Sequence, residues 1–211
     1  MGKAEILAPI KKLLEVVFPP FCWHCNDPAA LSQPLCPSCV QLLDILPPED
    51  PLATFEAQGP AWTLIKALKS GKAPRLAEGL AGYMALQYLK SDLPMPDIIV
   101  PVPQSLHRSL QVGYNPSLLL AQHLGKTLDR PVMQLLKRKR QLYCQMKVDR
   151  DERFHLSVEN FQWKKQFSIA EKTILLIDDI IGTGATLRAS AQRLYEGFPL
   201  KIIKMACVIE I

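Results

Sequence analysis

The stretch TILLIDDIIGTGATL, Thr173 to Leu187, decides how this chain folds. Ile174 to Ile177 is a short apolar, partly β-branched run, the pattern of a strand buried on both faces of a parallel sheet. It ends on two acids, Asp178 and Asp179, followed by the small-residue turn Gly182-Thr183-Gly184 and a helical pattern. Ligands of open α/β sheets sit beyond the carboxyl ends of the strands, which puts the acids at the solvent-facing lip of a site. The turn can offer backbone N–H groups, the hydroxyls of Thr183 and Thr186 and the positive end of a helix to one phosphate. Acids above and an anion nest below suggest a phosphorylated sugar. The plainer reading is a strand, a turn and a capped helix with solvated acids. The occurrence of all four features in one order favours the site.

This order resembles the phosphoribosyl diphosphate (PRPP) signature of type I phosphoribosyltransferases. The resemblance implies that Asp178 and Asp179, the catalytic candidates, contact the ribose 2′- and 3′-hydroxyls with Mg²⁺ nearby. It gives the 5′-phosphate to Gly182, Thr183, Gly184, Ala185 and Thr186. The fold class expected is α/β, a type I phosphoribosyltransferase-like parallel sheet flanked by helices.

With 211 residues and 48% hydrophobic content, the chain can bury a full core. No apolar run approaches the ~18 residues of a membrane span, so stable membrane insertion is not expected and the chain reads as cytoplasmic. Net charge is +5, and the segment from Lys137 to Arg153 alone holds seven basic residues against three acids. So local a surplus points to an anionic partner, phosphate or nucleic acid.

Residues 1–20 carry Ile6, Leu7, Ile10, Leu13, Leu14 and Val17 at helical spacing before Pro19 and Pro20, an amphipathic helix. Its stripe is expected to pack on the body or on the next module, with a membrane surface as the alternative. Residues 21–45 hold Cys22-x-x-Cys25 and Cys36-x-x-Cys39, two pairs separated by ten residues. Four thiolates on two tight turns make a structural Zn²⁺ site, and so short a segment has little core to hold it otherwise. Disulfides are the alternative, which a reducing compartment opposes. His24 is read as a bystander and Cys207 as core. Residues 46–60, with Pro47, Pro48, Pro51 and Pro60 and no periodic stripe, read as a linker to a main domain spanning 61–211.

Within that domain Trp62 to Leu68 and Leu76 to Leu89 predict two packed helices, with Lys69-Ser-Gly-Lys72 between them read as a solvated loop in preference to a turn that faces an anion. Ile98 to Val100 is a second strand, and Pro101-Val-Pro103 forces the chain out of the sheet at its carboxyl end. His107 and Arg108 on the loop beyond are candidates to receive the diphosphate in the phosphoribosyltransferase comparison. Asn115-Pro116 starts a helix striped by Leu118, Leu119, Ala121, Gln122 and Leu124. Val132 to Leu136 reads as the next strand. The polar stretch up to Lys172 carries Lys137, Arg138, Lys139, Arg140, Arg150 and Arg153 with the aromatics Phe154, Phe161, Trp163 and Phe167. Such a mixture suits a flap that closes on a ligand, or a groove for single-stranded nucleic acid. A helix from Ala185 to Tyr195 and a strand from Ile202 to Ile209 complete the alternation.

Taken together, these segments resemble the ComF family, and its ComFC members in particular. The resemblance rests on the four-cysteine module, Pro101-Val-Pro103, Gly113-Tyr-Asn115, Gln145 with Arg153, and the Asp178-Asp179 turn. It implies a small N-terminal zinc ribbon and a competence factor that binds PRPP and handles incoming single-stranded DNA. A competence helicase is an implied partner. A catalytically active phosphoribosyltransferase of nucleotide metabolism is the alternative. Three departures weaken catalysis more than fold. Val112 and Pro116 stand where the family reads Arg and Gln, and His155 stands where the flap usually has Asn.

Overall fold

The computed structural model describes residues 21–29, 33–139, 158–164 and 169–210. Its elements are α1 (Pro37–Val40), β1 (Leu52–Glu56), α2 (Gly59–Lys69), α3 (Leu76–Leu89), β2 (Ile98–Pro101), α4 (Leu106–Val112), α5 (Pro116–Leu128), β3 (Leu136–Arg138), β4 (Phe161–Trp163), β5 (Thr173–Ile181), α6 (Ala185–Tyr195) and β6 (Lys201–Ile209). Strands β1, β6, β5 and β2 lie side by side in that order, every pair parallel. Beyond β2, a single parallel bridge from Ile99 to Val132 continues the sheet.

The apolar run of β5 is continuous because both of its faces are covered. Leu175 and Ile177 pack with α2, α3 and α5, whereas Ile174 and Leu176 pack with Leu187, Ala191 and Leu194 of α6. Alternation along one strand therefore feeds two separate cores. Asn115 caps α5 by accepting from Ser117 N–H at 3.1 Å, and Pro116 supplies the first helical residue without needing a donor.

Several expectations are corrected here. Residues 46–60 are not a linker throughout: Leu52–Glu56 is the edge strand β1, in register with β6, with Leu52 and Phe55 buried. Five residues between prolines are too few for an alternating pattern to be read. Val132 to Leu136 makes only the bridge to β2. The strand begins at Leu136 and belongs to an antiparallel ribbon with β4. In that ribbon Phe161 is fully buried and Trp163 packs edge-on against Phe198, so these two aromatics are core rather than a stacking surface. The inward stripe of α5 runs through Ser117, Leu120, Ala121, Leu124 and Leu128, rotated from the one expected. The expected helix in residues 1–20, with Arg140, Gln145, Arg150, Arg153, Phe154, His155 and Phe167, falls outside the described residues. Among those described, no helix is long and apolar enough to cross a membrane.

Candidate PRPP site and metal centre

Strand β5 outruns its neighbour. Pro101 pairs with Ile177 as the last residue of β2, Val102 N–H donates to Ile177 C=O at 2.8 Å, and Pro103 then leads the chain away. From Asp178 onward β5 is flanked by β6 on one side and by a notch on the other. The acids are therefore part of the strand and only 6% and 8% exposed, not at a solvent-facing lip. Asp178 Oδ1 accepts from Ser117 Oγ at 3.0 Å and from Asp179 N–H at 2.9 Å. Asp179 Oδ1 accepts from Ile180 N–H at 3.1 Å, and its Oδ2 lies 3.3 Å from Lys69 Nζ. Burial, reinforced by the Asp179 charge beside it, pushes the Asp178 carboxyl up to about 8. A carboxyl held so far above its usual range in a cleft marks a candidate functional group.

Of the two readings of the turn at Lys69, the one facing an anion-binding cleft fits the structure rather than the solvated loop: Lys69 borders the cleft of the acid pair. It ends α2, and the turn after it comes close to the end of α4: at Gly71, φ 84°, a Cβ would sit 3.1 Å from Val112 C=O. Tyr114 Oη also donates to Leu68 C=O, fixing the same corner. A glycine between two lysines was the available signal. Lys69→Met is expected to leave Asp179 without its cation and to weaken binding of a diphosphate-bearing ligand by about 10- to 100-fold. Titrating PRPP into both proteins checks it.

On the far side of Asp178, the chain turns through Gly182 to Gly184. Gly184 has φ 72° and starts α6, and Ala185 N–H approaches Thr183 Oγ1 at 3.4 Å. The first N–H groups of α6 have no intrahelical acceptor, so the turn is an anion nest at a helix N-terminus.

Two clefts meet at the acid pair. One, of about 250 Å³, runs along Gly182 to Thr186, with Glu210 at its edge. The other, of about 180 Å³, is bounded by both acids with Lys69, Gln104, Arg108 and Arg138. Asp178, Ile180 and Thr186 border both. Of the two diphosphate candidates, Arg108 faces this second cleft. His107, beside it on α4, is exposed and does not border either cleft. Lys137 and Lys139 are exposed on and just after β3, with Lys137 bordering a third cleft behind Gln104. Sequence reasoning missed Ser117 and Gln104 because each depends on helix phase or loop path.

The four cysteines also come together. Cys22-x-x-Cys25 folds into a turn, with Asn26 N–H donating to Cys22 C=O, and Trp23 N–H reaches across to Pro34 C=O to join the two halves. All four Sγ atoms lie within 4.8 Å of one another, and those of Cys25 and Cys36 are 3.6 Å apart. Tetrahedral Zn–S bonds of about 2.3 Å place sulfurs roughly 3.8 Å apart, so the set can hold a metal ion. Against the effect of burial, the N–H groups of Cys25, Cys36 and His24 hold the Cys22 thiol down at about 6. His24 bonds Thr63 Oγ1 at 3.0 Å and stands outside the cluster. Cys207 is buried in β6, as expected of core.

The parallel sheet flanked by helices is of the phosphoribosyltransferase type, and residues 117–210 match the phosphoribosyl transferase domain family. Among curated proteins, the chain is similar to competence protein F of Haemophilus influenzae, 34% identical over 116 residues, covering 50% of this chain and 48% of that protein. It is also similar to competence protein ComFC of Bacillus subtilis, 36% identical over 99 residues, 47% of this chain and 38% of that protein. The match thus spans less than half the length of these relatives. Solved structures similar to it include adenine phosphoribosyltransferase from Leishmania donovani (14% identity, TM-score 0.44, 74% of this chain and 70% of that one). Another is glutamine PRPP amidotransferase from B. subtilis (17%, 0.42, 66% and 26%). In sequence the chain resembles these competence proteins, and its four-cysteine cluster fits a zinc ribbon.

Proposed function

We propose that this chain is a PRPP-binding competence factor of phosphoribosyltransferase fold that handles incoming single-stranded DNA in the cytoplasm during natural transformation, with a competence helicase as its candidate partner. The observation that carries the PRPP half is the linear order of the site: an anion nest, then a carboxylate pair, then a group of cations, with Asp178 bordering both clefts. PRPP has the same order of groups, 5′-phosphate, ribose hydroxyls and diphosphate. Gly182 to Thr186 take the first, Asp178 and Asp179 the second, and Lys69, Arg108 and Arg138 the third. Mg²⁺ brought in with the diphosphate would neutralise part of its charge, and the acid pair is the carboxylate set available to it. Zn²⁺ in the cysteine cluster has a structural role.

The DNA half rests on the basic run that starts at Lys137 and on the names of the two relatives. Single-strand affinity is expected to fall steeply with salt, log K dropping by about 0.7 per neutralised phosphate for each tenfold rise in salt. Neutralising Lys137, Arg138, Lys139 and Arg140 together should lower both the affinity and that slope. Unchanged DNA binding in this variant would move the interface elsewhere.

The experiment that separates this reading from an active phosphoribosyltransferase is a diphosphate-release assay. PRPP and Mg²⁺ are supplied with adenine, guanine, hypoxanthine, uracil or orotate, beside a single-strand DNA titration. The expected result is DNA binding with no efficient release for any base. Rapid release with one of them would make the protein an enzyme of nucleotide metabolism.

A further inference from the structure

Gln104 is the residue that the site so far described leaves unused. It stands on the loop between β2 and α4 as part of the wall between two clefts, the one containing the acid pair and a second of about 250 Å³ behind it. Its Nε2 and Oε1 are both buried, and neither has a hydrogen-bond partner among the described residues. An amide buried in that way loses more than it gains unless a ligand completes it. Asn115, which also borders both clefts, is already satisfied by Val102 C=O at 2.9 Å and by Ser117 N–H.

The chemistry of the second cleft narrows what that ligand is. Pro101, Pro103, Leu106 and Leu136 give it apolar walls, Lys137, Arg138 and Lys164 supply cations, and among the described residues no carboxylate borders it. Lys164 Nζ is held by Gln134 Oε1 at 3.0 Å. A phosphate alone would satisfy Nε2 and leave Oε1 without a donor, since an ionised phosphate only accepts. A nucleobase edge offers a donor beside an acceptor, which a carboxamide matches in two bonds, while apolar walls receive its faces. The lysines then suit the phosphate attached to such a base.

We infer that this cleft is a nucleobase subsite, in which the Gln104 amide reads the edge of one base of single-stranded DNA while Lys137 and Lys164 hold the neighbouring phosphate. The inference rests on the DNA-binding reading above and adds to it that the contact includes a base. A base seated here lies across Gln104 from the acid-pair cleft, so one residue touches both the DNA and the sugar-phosphate site.

The test compares oligo(dA) with an abasic oligonucleotide of the same length and charge, by fluorescence anisotropy, on wild type and on Gln104→Leu, which keeps the volume and removes the amide. Wild type is expected to bind oligo(dA) about tenfold more tightly than the abasic strand, and Gln104→Leu to lose most of that ratio. Lys137→Ala should weaken both strands alike. Melting curves check folding, and Gln104→Met, which also removes the amide without adding charge, serves if the leucine variant is unstable. Equal wild-type binding of the two strands, or an unchanged ratio in the Gln104 variants, overturns the subsite and leaves the DNA-binding reading standing. No binding of either strand by wild type overturns both.

Discussion

Chelation of the cysteine-bound metal is expected to unfold residues 21–45 and to lower the melting temperature by about 10 °C or more, since each kcal/mol is worth roughly 2–4 °C in a chain of this size. Among its described residues the module has almost no apolar interior of its own. Cys22, Leu35, Cys36 and Cys39 are buried in the same cluster as Leu64, Leu76 and Leu80 of the two helices beneath. Loss of the metal therefore removes the cross-link between the two turns and also uncovers part of α2 and α3. In small zinc peptides the metal contributes apparent stabilities of about 10–16 kcal/mol, and here the surviving sheet retains its own core, so a partial loss is expected. All four thiols are free as placed, and even Cys25 and Cys36, 3.6 Å apart, are far beyond a disulfide bond of about 2.05 Å. Elemental analysis should return one zinc per chain without added metal, and Cys39→Ser should lose it. A metal-free protein with free thiols and an unchanged melting curve would contradict the assignment.

The second large effect is expected at Asp178. Its folded-state pKa, raised to about 8 by burial and then by Asp179, stands far above its ordinary value of 3.8. Between those values the folded state keeps a proton that the unfolded state has released. Stability therefore falls as pH rises from about 4 to about 8, by up to about tenfold in the folding equilibrium per pH unit, and is flat above that window. Asp178→Asn removes the titration while keeping Oδ1 as acceptor for Ser117 Oγ and Asp179 N–H. The variant should thus be more stable than wild type at pH 8, no less stable at pH 4, and should bind PRPP about 10- to 100-fold more weakly. Denaturant melts at several pH values, with a PRPP titration at one, check all three. A gain in stability with a loss of binding is what a strained functional site produces. A wild-type slope unchanged in the variant would mean that Asp178 is ionised in the fold.

The readable parts of this protein were those in which one short stretch carries its own pattern. Ile174 to Ile177, the turn at Gly182 to Gly184 and the helix from Ala185 to Tyr195 each announce themselves within a few residues, and the four cysteines do so by spacing alone. What was not legible depends on distant pairing. Edge strand β1 is five residues among prolines, recognisable only through its register with β6, which lies some 150 residues later. That the acids are buried in a notch follows from β2 stopping at Pro101 while β5 continues to Ile181, a difference in strand lengths that neither strand shows by itself. Lys69 reaches Asp179 because Gly71 lets two helix ends approach, and Ser117 reaches Asp178 because α5 is rotated one residue from the expected stripe. Phe161 and Trp163 were equally plausible as a stacking surface until the ribbon folded them inward.

The central claim, that the acid pair, the turn after it and the cations before it form one PRPP site, is tested most directly by calorimetric titration of PRPP with Mg²⁺ into wild type and into the double variant Asp178→Asn with Asp179→Asn, each melted in parallel. The account predicts saturable binding at one site per chain in wild type and none in the double variant, which still melts cooperatively because both amides retain their Oδ1 acceptors. Absence of binding in wild type, or wild-type affinity in the double variant, would contradict it.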